Sequence, residues 1–193
     1  MLSPVCRRAE RLRRSIRTVG VLYGLSASLL ICALAFGEGT PWKVFSNRAG
    51  WNIDYTSDWT IGSCTSCKDP TAPDVFVDFF PPTDSDSGWV MVEHLADKPS
   101  GMTVDTWLAE IKQTVNLNPR LKEQRFTVHD LPALSVRYRN PNNGGEEMES
   151  VYVVSGTRTF AIEFGGEKPG LSLEKFGNYG TFLQMVRSFG VKP

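Results

Sequence analysis

Apolar and polar residues alternate between positions 131 and 164 in the way that predicts three consecutive antiparallel strands. Turn-forming residues divide this segment at 142–145 and at 155–157, and the glycines there accept the positive φ that tight hairpin turns require. One face of the three strands is predicted to be apolar. The other is predicted to carry charges that pair across neighbouring strands: Arg137, Arg139, Glu147, Glu149 and Glu163.

Shorter patterns predict further strands and two helices around this meander. The strands are predicted at 42–47, 51–55, a short piece ending at Ile61, 75–80, 88–95 and 124–129. Apolar residues at helical spacing predict a helix that begins after Thr103 and a closing helix that begins after Ser172 and ends at Phe189. The apolar face of a sheet needs cover, so we expect both helices to pack on it, on one face or on opposite faces. The predicted fold class is α+β, a single antiparallel β-sheet flanked by helices.

The first residues of the chain have the pattern of a targeting segment. Six arginines between positions 7 and 17 precede an uncharged apolar run at 19–36 and a small-x-small site at 33–35, which matches a secretory signal peptide. The run is also just long enough to cross a bilayer uncleaved. Residues 1–38 are therefore predicted to be a signal peptide or an N-terminal membrane anchor, and residues 39–193 one globular domain. Both alternatives export the domain, which is expected to be periplasmic, secreted or anchored to the membrane.

The remainder of the chain is acidic. After Phe36 it carries 15 basic and 20 acidic residues, a net charge of −5. Binding to the phosphates of nucleic acids needs clustered lysine and arginine, and this part of the sequence shows no such cluster. We therefore expect no nucleic acid partner.

Cys64 and Cys67 are the sharpest local feature of the predicted domain. In an oxidising compartment the two thiols have no other cysteine of the domain to pair with, which favours a structural disulfide. Redox catalysis is less favoured, because the proline-containing stretch that follows cannot form the helix whose N-terminus would activate the first thiol. Zinc binding is a third alternative and would need His94 and His129, the only histidines.

Four aspartates that lie close together in the sequence resemble part of a calcium site. Asp84 and Asp86 have the spacing of the first two ligands of an EF-hand loop, but the glutamate that such a loop needs at its end is replaced by Leu95. A solvated turn is the favoured interpretation. A weak calcium site that also uses Asp74 and Asp78 is the alternative, so the sequence predicts no cofactor, with calcium as the second choice.

Catalytic motifs are absent from the sequence. It has no Gly-x-Ser-x-Gly elbow and no glycine-rich phosphate loop between a strand and a helix. Glu147 and Glu149 share one face of a strand, as two glycosidase carboxylates can, but a solvent-exposed face with charge pairs is the favoured interpretation. We predict a non-enzymatic domain without catalytic residues.

Several stretches taken together resemble one family. They are Gly50–Tyr55 leading to Trp59, the helix around Trp107, the turn 131–133 into Val136–Tyr138, the strands with Tyr152 and Phe160, and the closing helix from Phe182 to Phe189. In pattern and order these resemble the PsbP-like α/β/α sandwich, a superfamily that includes the Ran-binding Mog proteins. Thr56 stands where many members have proline, and the loop with Cys64 and Cys67 departs from the family pattern.

The resemblance implies a binding role rather than a catalytic one. PsbP proteins are extrinsic subunits of photosystem II that help to retain calcium and chloride, Mog proteins bind a GTPase, and bacterial relatives are exported. We therefore expect an exported, non-enzymatic domain that binds a protein partner or a membrane-associated complex. The loop near Cys64 and the hairpin tip near Asn143 are the predicted contact points. The alternative is a small-molecule or calcium-binding extracytoplasmic protein, an extrinsic photosystem II subunit being one version.

Overall fold

A computed structural model describes residues 40–63, 69–72, 76–82, 87–114, 120–140, 145–166 and 168–192. Its strands are β1 (Trp42–Ser46), β2 (Trp51–Thr56), β3 (Thr60–Ser63), β4 (Val77–Phe80), β5 (Trp89–His94), β6 (Arg120–Val128), β7 (Leu131–Asn140), β8 (Glu146–Ser155), β9 (Arg158–Gly165) and β10 (Gly190–Val191). Its helices are α1 (Val104–Thr114) and α2 (Tyr179–Ser188), with a 3₁₀ turn at Leu173–Lys175. The nine strands predicted from the sequence are confirmed to within a few residues at their ends.

The strands form two antiparallel sheets, whereas the sequence predicted one. The large sheet has the order β3-β4-β5-β9-β8-β7-β6, and the small sheet has the order β1-β2-β10. β2 pairs with β1 and with the short C-terminal strand β10, in which Gly190 lies opposite Asn52 and Val191 opposite Trp51. The single-sheet prediction is wrong because strand patterns do not encode partners, and β10 is too short to show a pattern.

The large sheet carries a hydrophobic core on each face. One core joins the sheet to α2 and the small sheet, with Phe182, Met185 and Phe189 packed among residues such as Phe160 and Trp51. The other core joins the sheet to α1 and contains Leu108, Ile111, Leu134, Val136 and Tyr152 among others. The two helices thus lie on opposite faces of the large sheet, one of the two arrangements that the sequence left open.

The two helices begin in different ways. Thr103 caps α1 as predicted, because its Oγ1 accepts a hydrogen bond from the Thr106 backbone N–H at 3.2 Å. The closing helix begins at Tyr179 rather than after Ser172, since the 3₁₀ turn and a short extended segment intervene. Asn178 precedes α2 without capping it by its side chain. Its amide instead bonds both the N–H and the C=O of Gly88 at the start of β5, which ties α2 to the large sheet.

Candidate functional site

A groove of about 390 Å³ lies between α2 and one end of the large sheet. Its helix side consists of Leu183, Val186 and Arg187, which share one face of α2 because they are three and four residues apart. Its sheet side consists of residues of β6, β7 and β8 that point towards α2: Gln124, Phe126, Val128, Ser135, Glu149 and Val151. The lining is mixed, because five of its eleven residues are apolar and six are polar or charged.

A buried ion network forms the floor at one end of the groove. The register of β7 and β8 places Arg137 opposite Glu149, and the Arg137 Nη2 and Glu149 Oε2 atoms are 3.3 Å apart. Tyr179 at the start of α2 accepts a hydrogen bond from Arg137 and donates one to Glu149, at 2.6 and 2.5 Å. Ser135 donates to the other Glu149 oxygen at 2.5 Å. The Glu149 carboxylate is thus fixed and neutralised before any partner binds.

Two further carboxylates complete the network. Arg137 Nη1 lies 3.4 Å from Glu147 and 2.5 Å from Glu174. Burial opposes the Arg137 charge, but the hydrogen bond to Glu174 and the surrounding charges outweigh burial and raise the pKa of the guanidinium. Burial and Glu149 also raise the pKa of the Tyr179 hydroxyl, so Tyr179 stays protonated and remains a donor.

The network corrects the prediction of a solvent-exposed charged face. Glu147 and Glu149 are 9% and 7% exposed, because the segment from the 3₁₀ turn to Tyr179 covers them. Glu163 does not belong to this face, since β9 pairs it with Ser150, a residue that faces α1. A one-residue difference in phase moves a side chain to the other face of a sheet. The charge pattern in the sequence indicated that Arg137 pairs with glutamates across the strands. It did not indicate that Glu147 and Glu149 are buried.

Arg187 lines the groove from α2 and has no ion-pair partner among the described residues. Lys122 also has none there, and it lies on β6 opposite Arg137, beyond the groove lining. Both are exposed. The other arginines of β6 are paired, Arg120 with Glu123 and Arg125 with Asp105. The groove therefore offers the positive charge of Arg187 next to apolar side chains.

Most of the residues predicted as sites from the sequence lie outside the described residues. They are Cys64, Cys67, Asp74, Asp84, Asp86 and the hairpin tip at Asn143. Asp78 is described and lies in β4, where burial raises the pKa of its carboxyl group. It faces α1, because it pairs with Met91, the neighbour of Glu163.

The two histidines lie on different elements. His94 ends β5, where its ring packs against Phe160 and its Nε2 atom lies 3.1 Å from Asp97. His129 lies in the turn between β6 and β7 with a φ of 46°, and it lines the groove. In the described ranges, no three His, Cys, Asp or Glu side chains come together as metal ligands.

Neither helix in the described part of the chain has the length and apolar character that crossing a membrane requires. Residues 1–38, which carry the predicted leader, are outside this part.

Comparisons with known proteins identify the fold. No protein-family model and no curated protein matches the chain. Among solved structures it is similar to cyanobacterial PsbP (CyanoP) from Synechocystis sp. PCC 6803, with a TM-score of 0.53 and 12% identity over 81% of this chain and 96% of that one. LpqN, involved in cell envelope biogenesis of Mycobacterium tuberculosis, gives a TM-score of 0.42 and 13% identity over 81% of this chain and 88% of that one. The chain has a PsbP-like fold, as the sequence resemblance predicted.

Proposed function

We propose that this chain is an exported, non-enzymatic domain that binds an extended segment of a partner protein in the groove between α2 and β6. The observation that carries the proposal is the groove itself. It places apolar side chains of α2 and the sheet beside polar groups and Arg187, a cation without an ion-pair partner among the described residues, which is the composition of a surface that receives a peptide. The basic, apolar leader at 1–36 supports export of the domain.

The position of β6 favours an extended partner. β6 is the last strand of the large sheet and pairs only with β7 among the described strands. An extended segment can add to such an edge through backbone hydrogen bonds and place alternate side chains in the adjoining groove. Phe126 and Val128 point into the groove with this spacing of two.

The charges at the groove specify the partner further. Among the residues that the structure describes, Arg187 in the groove and Lys122 beyond it form no ion pair, whereas Glu149 already has Arg137, Tyr179 and Ser135 as partners. A partner segment therefore gains charge pairing from an aspartate, a glutamate or a terminal carboxylate. We infer a segment with alternating apolar residues and at least one acidic group.

The test is selection of short random peptides displayed on phage by the wild-type chain and by Arg187→Glu. The wild-type chain is expected to enrich peptides with alternating apolar residues and an acidic residue at a fixed position. The Arg187→Glu variant is expected to enrich lysine or arginine at that position. Lys43→Glu is the matched control, because Lys43 is exposed on β1 in the small sheet, and it is expected to enrich the same peptides as the wild-type chain.

A second measurement locates the bound peptide. Amide resonances of β6 and α2 are expected to shift on addition of an enriched peptide, and Leu183→Asp is expected to abolish binding because it places a charge among the apolar side chains of the groove. The proposal would be overturned if Arg187→Glu and the wild-type chain enriched the same peptides. It would also be overturned if an enriched peptide shifted amide resonances only in elements other than β6 and α2.

A further inference from the structure

A second polar cluster lies on the opposite face of the large sheet, under the edge of α1. Glu163 on β9 lies opposite Met91 on β5, and Glu93 lies opposite Ala161. Glu93 and Glu163 are therefore diagonal neighbours on adjacent strands, and both point towards α1. Diagonal pairs of this kind are within reach of each other's long side chains.

These two carboxyl groups have no cation to pair with. The Glu163 Oε1 atom accepts a hydrogen bond from Ser150 at 2.7 Å, and no arginine or lysine forms an ion pair with Glu93 or Glu163 in the described ranges. Burial raises the pKa of both groups, and the charge of Glu93 raises that of Glu163 further. The face that carries the groove differs in this respect, because Arg137 there forms ion pairs with Glu147 and Glu149.

Among the described residues, those that the strand register places around the pair add negative charge or oxygen atoms, and none is an arginine or a lysine. Asp78 on β4 points to the same face next to Met91. α1 covers the sheet with apolar side chains, Leu108 and Ile111 among them. The Ser150 hydroxyl also lies 3.4 Å from the Tyr138 hydroxyl, and it has one proton for the two acceptors.

The Tyr152 hydroxyl is an independent observation at this cluster. It is 1% exposed, and its hydroxyl has no hydrogen-bond partner of normal geometry among the described residues. Its β8 position places it on the same face as Ser150, and the charges of both Glu163 and Glu93 act on its hydroxyl. A buried hydroxyl without a partner is destabilising unless something binds it.

We propose that this cluster binds one hydrated divalent cation of the Mg²⁺ type, held by Glu93 and Glu163, with the hydroxyls of Ser150 and Tyr152 bonded to its water molecules. The donors are all oxygen atoms, which hard cations prefer. Two carboxylates match the charge of the ion. Mg²⁺ keeps several of its own waters and needs only one or two protein carboxylates, which agrees with the lack of a three-residue metal cluster among the described residues. The site is separate from the groove on the α2 face and does not rest on the proposed function.

The first experiment is thermal melting of the full chain at neutral pH after EDTA treatment, with Mg²⁺, Ca²⁺ or Mn²⁺ then added. One of these ions is expected to raise the melting temperature by about 5–10 °C at a concentration 100 times its dissociation constant. Glu93→Gln/Glu163→Gln is expected to remove the response. Glu110→Gln, a change at an exposed residue of α1, and Asp84→Asn/Asp86→Asn are expected to keep it.

Location is tested with Mn²⁺ as a paramagnetic probe. Amide resonances of residues 91–93 and 161–163 are expected to broaden, and in Tyr152→Phe the ion is expected to bind more weakly by about threefold or more. No response to any of the three ions, a response that survives the double glutamine variant, or broadening confined to other residues would overturn the proposal. A stability that depends on protons alone would also overturn it.

Discussion

At the scale of single residues, the acidic groups on the two faces of the large sheet differ in whether a basic residue compensates their charge. Glu149 is buried beside Arg137, Tyr179 and Ser135, so its charge is compensated within the fold. Among the described residues, the hydrogen-bond donor to Glu163 is the neutral hydroxyl of Ser150. A compensated buried charge supports the fold when all its partners are present, whereas an uncompensated one takes up a proton or a cation.

Arg137→Met is expected to lower the free energy of unfolding by about 3–5 kcal/mol, because it leaves Glu147 and Glu149 buried without a positive partner. The Arg137 side chain is 14% exposed. Arg139→Met, on the same strand but exposed, is the control and is expected to change stability by about 0.5 kcal/mol or less. Urea denaturation followed by circular dichroism measures both. Arg137→Met/Glu149→Gln is expected to regain part of the loss, and equal losses for the two arginine variants would contradict the network.

Glu163→Gln is expected to flatten the dependence of stability on pH under metal-free conditions. Burial in the folded state raises the pKa of Glu163 above its ordinary value of 4.5, so the folded chain binds the proton more tightly than the unfolded chain. The stabilisation is present below the unfolded pKa and is lost as pH rises through the folded pKa. Urea unfolding at a series of pH values, with EDTA present, should show a smaller fall for the variant above pH 4.5 than for the wild-type chain. Parallel profiles would count against a buried carboxyl group at this position.

At the scale of elements, the predicted turn between β8 and β9 is confirmed, whereas the other predicted hairpin turn falls mostly on residues 141–144, outside the described part of the chain. Gly156 occupies the first central position of the turn between β8 and β9 with a φ of 63°, as its sequence context indicated. The turn between β6 and β7 instead uses His129 and Asp130, whose φ values are 46° and 65°. Neither residue is a glycine, so this two-residue turn carries backbone strain.

Asp130→Gly is expected to raise the free energy of unfolding by about 1 kcal/mol, because glycine adopts positive φ without the clash of a Cβ atom. Gly156→Ala is the reverse change in a turn of the same length. It is expected to lower the stability by a similar amount, since no other atom lies near an added Cβ there and the backbone alone is strained. Chemical denaturation of both variants tests the pair, and a stabilising Gly156→Ala would contradict the φ argument.

The first residue of α2 could not be predicted from the sequence pattern. The apolar spacing of the closing helix was correct, but the helix begins at Tyr179. Its start depends on Asn178, whose amide bonds Gly88, a residue 90 positions earlier. No local pattern contains a contact of that separation.

At the scale of the whole molecule, the compartment predicted from the leader can be tested through the cysteines. Cys64 and Cys67 lie outside the described residues, so their disulfide remains a prediction. The natively produced protein is expected to resist alkylation by iodoacetamide at both thiols until dithiothreitol is added, because an exported domain meets an oxidising environment. Mass spectrometry of the peptides measures the labelling. Complete labelling without a reductant would contradict both the disulfide and the export that it presupposes.

The sequence by itself determined the approximate positions of nine strands and of α1, the presence of a closing helix, the turn between β8 and β9 and the likeness to the PsbP-like fold. These properties follow from the alternation of side chains and from turn residues, which act over a few neighbouring positions. Only the tertiary structure decided that the strands form two sheets and that Arg137 and Glu149 are buried beneath α2. It likewise placed Glu93 and Glu163 as neighbours on the other face, where no described arginine or lysine forms an ion pair with them. These properties depend on strand register and on contacts between distant residues, and a shift of one residue in register exchanges the two faces.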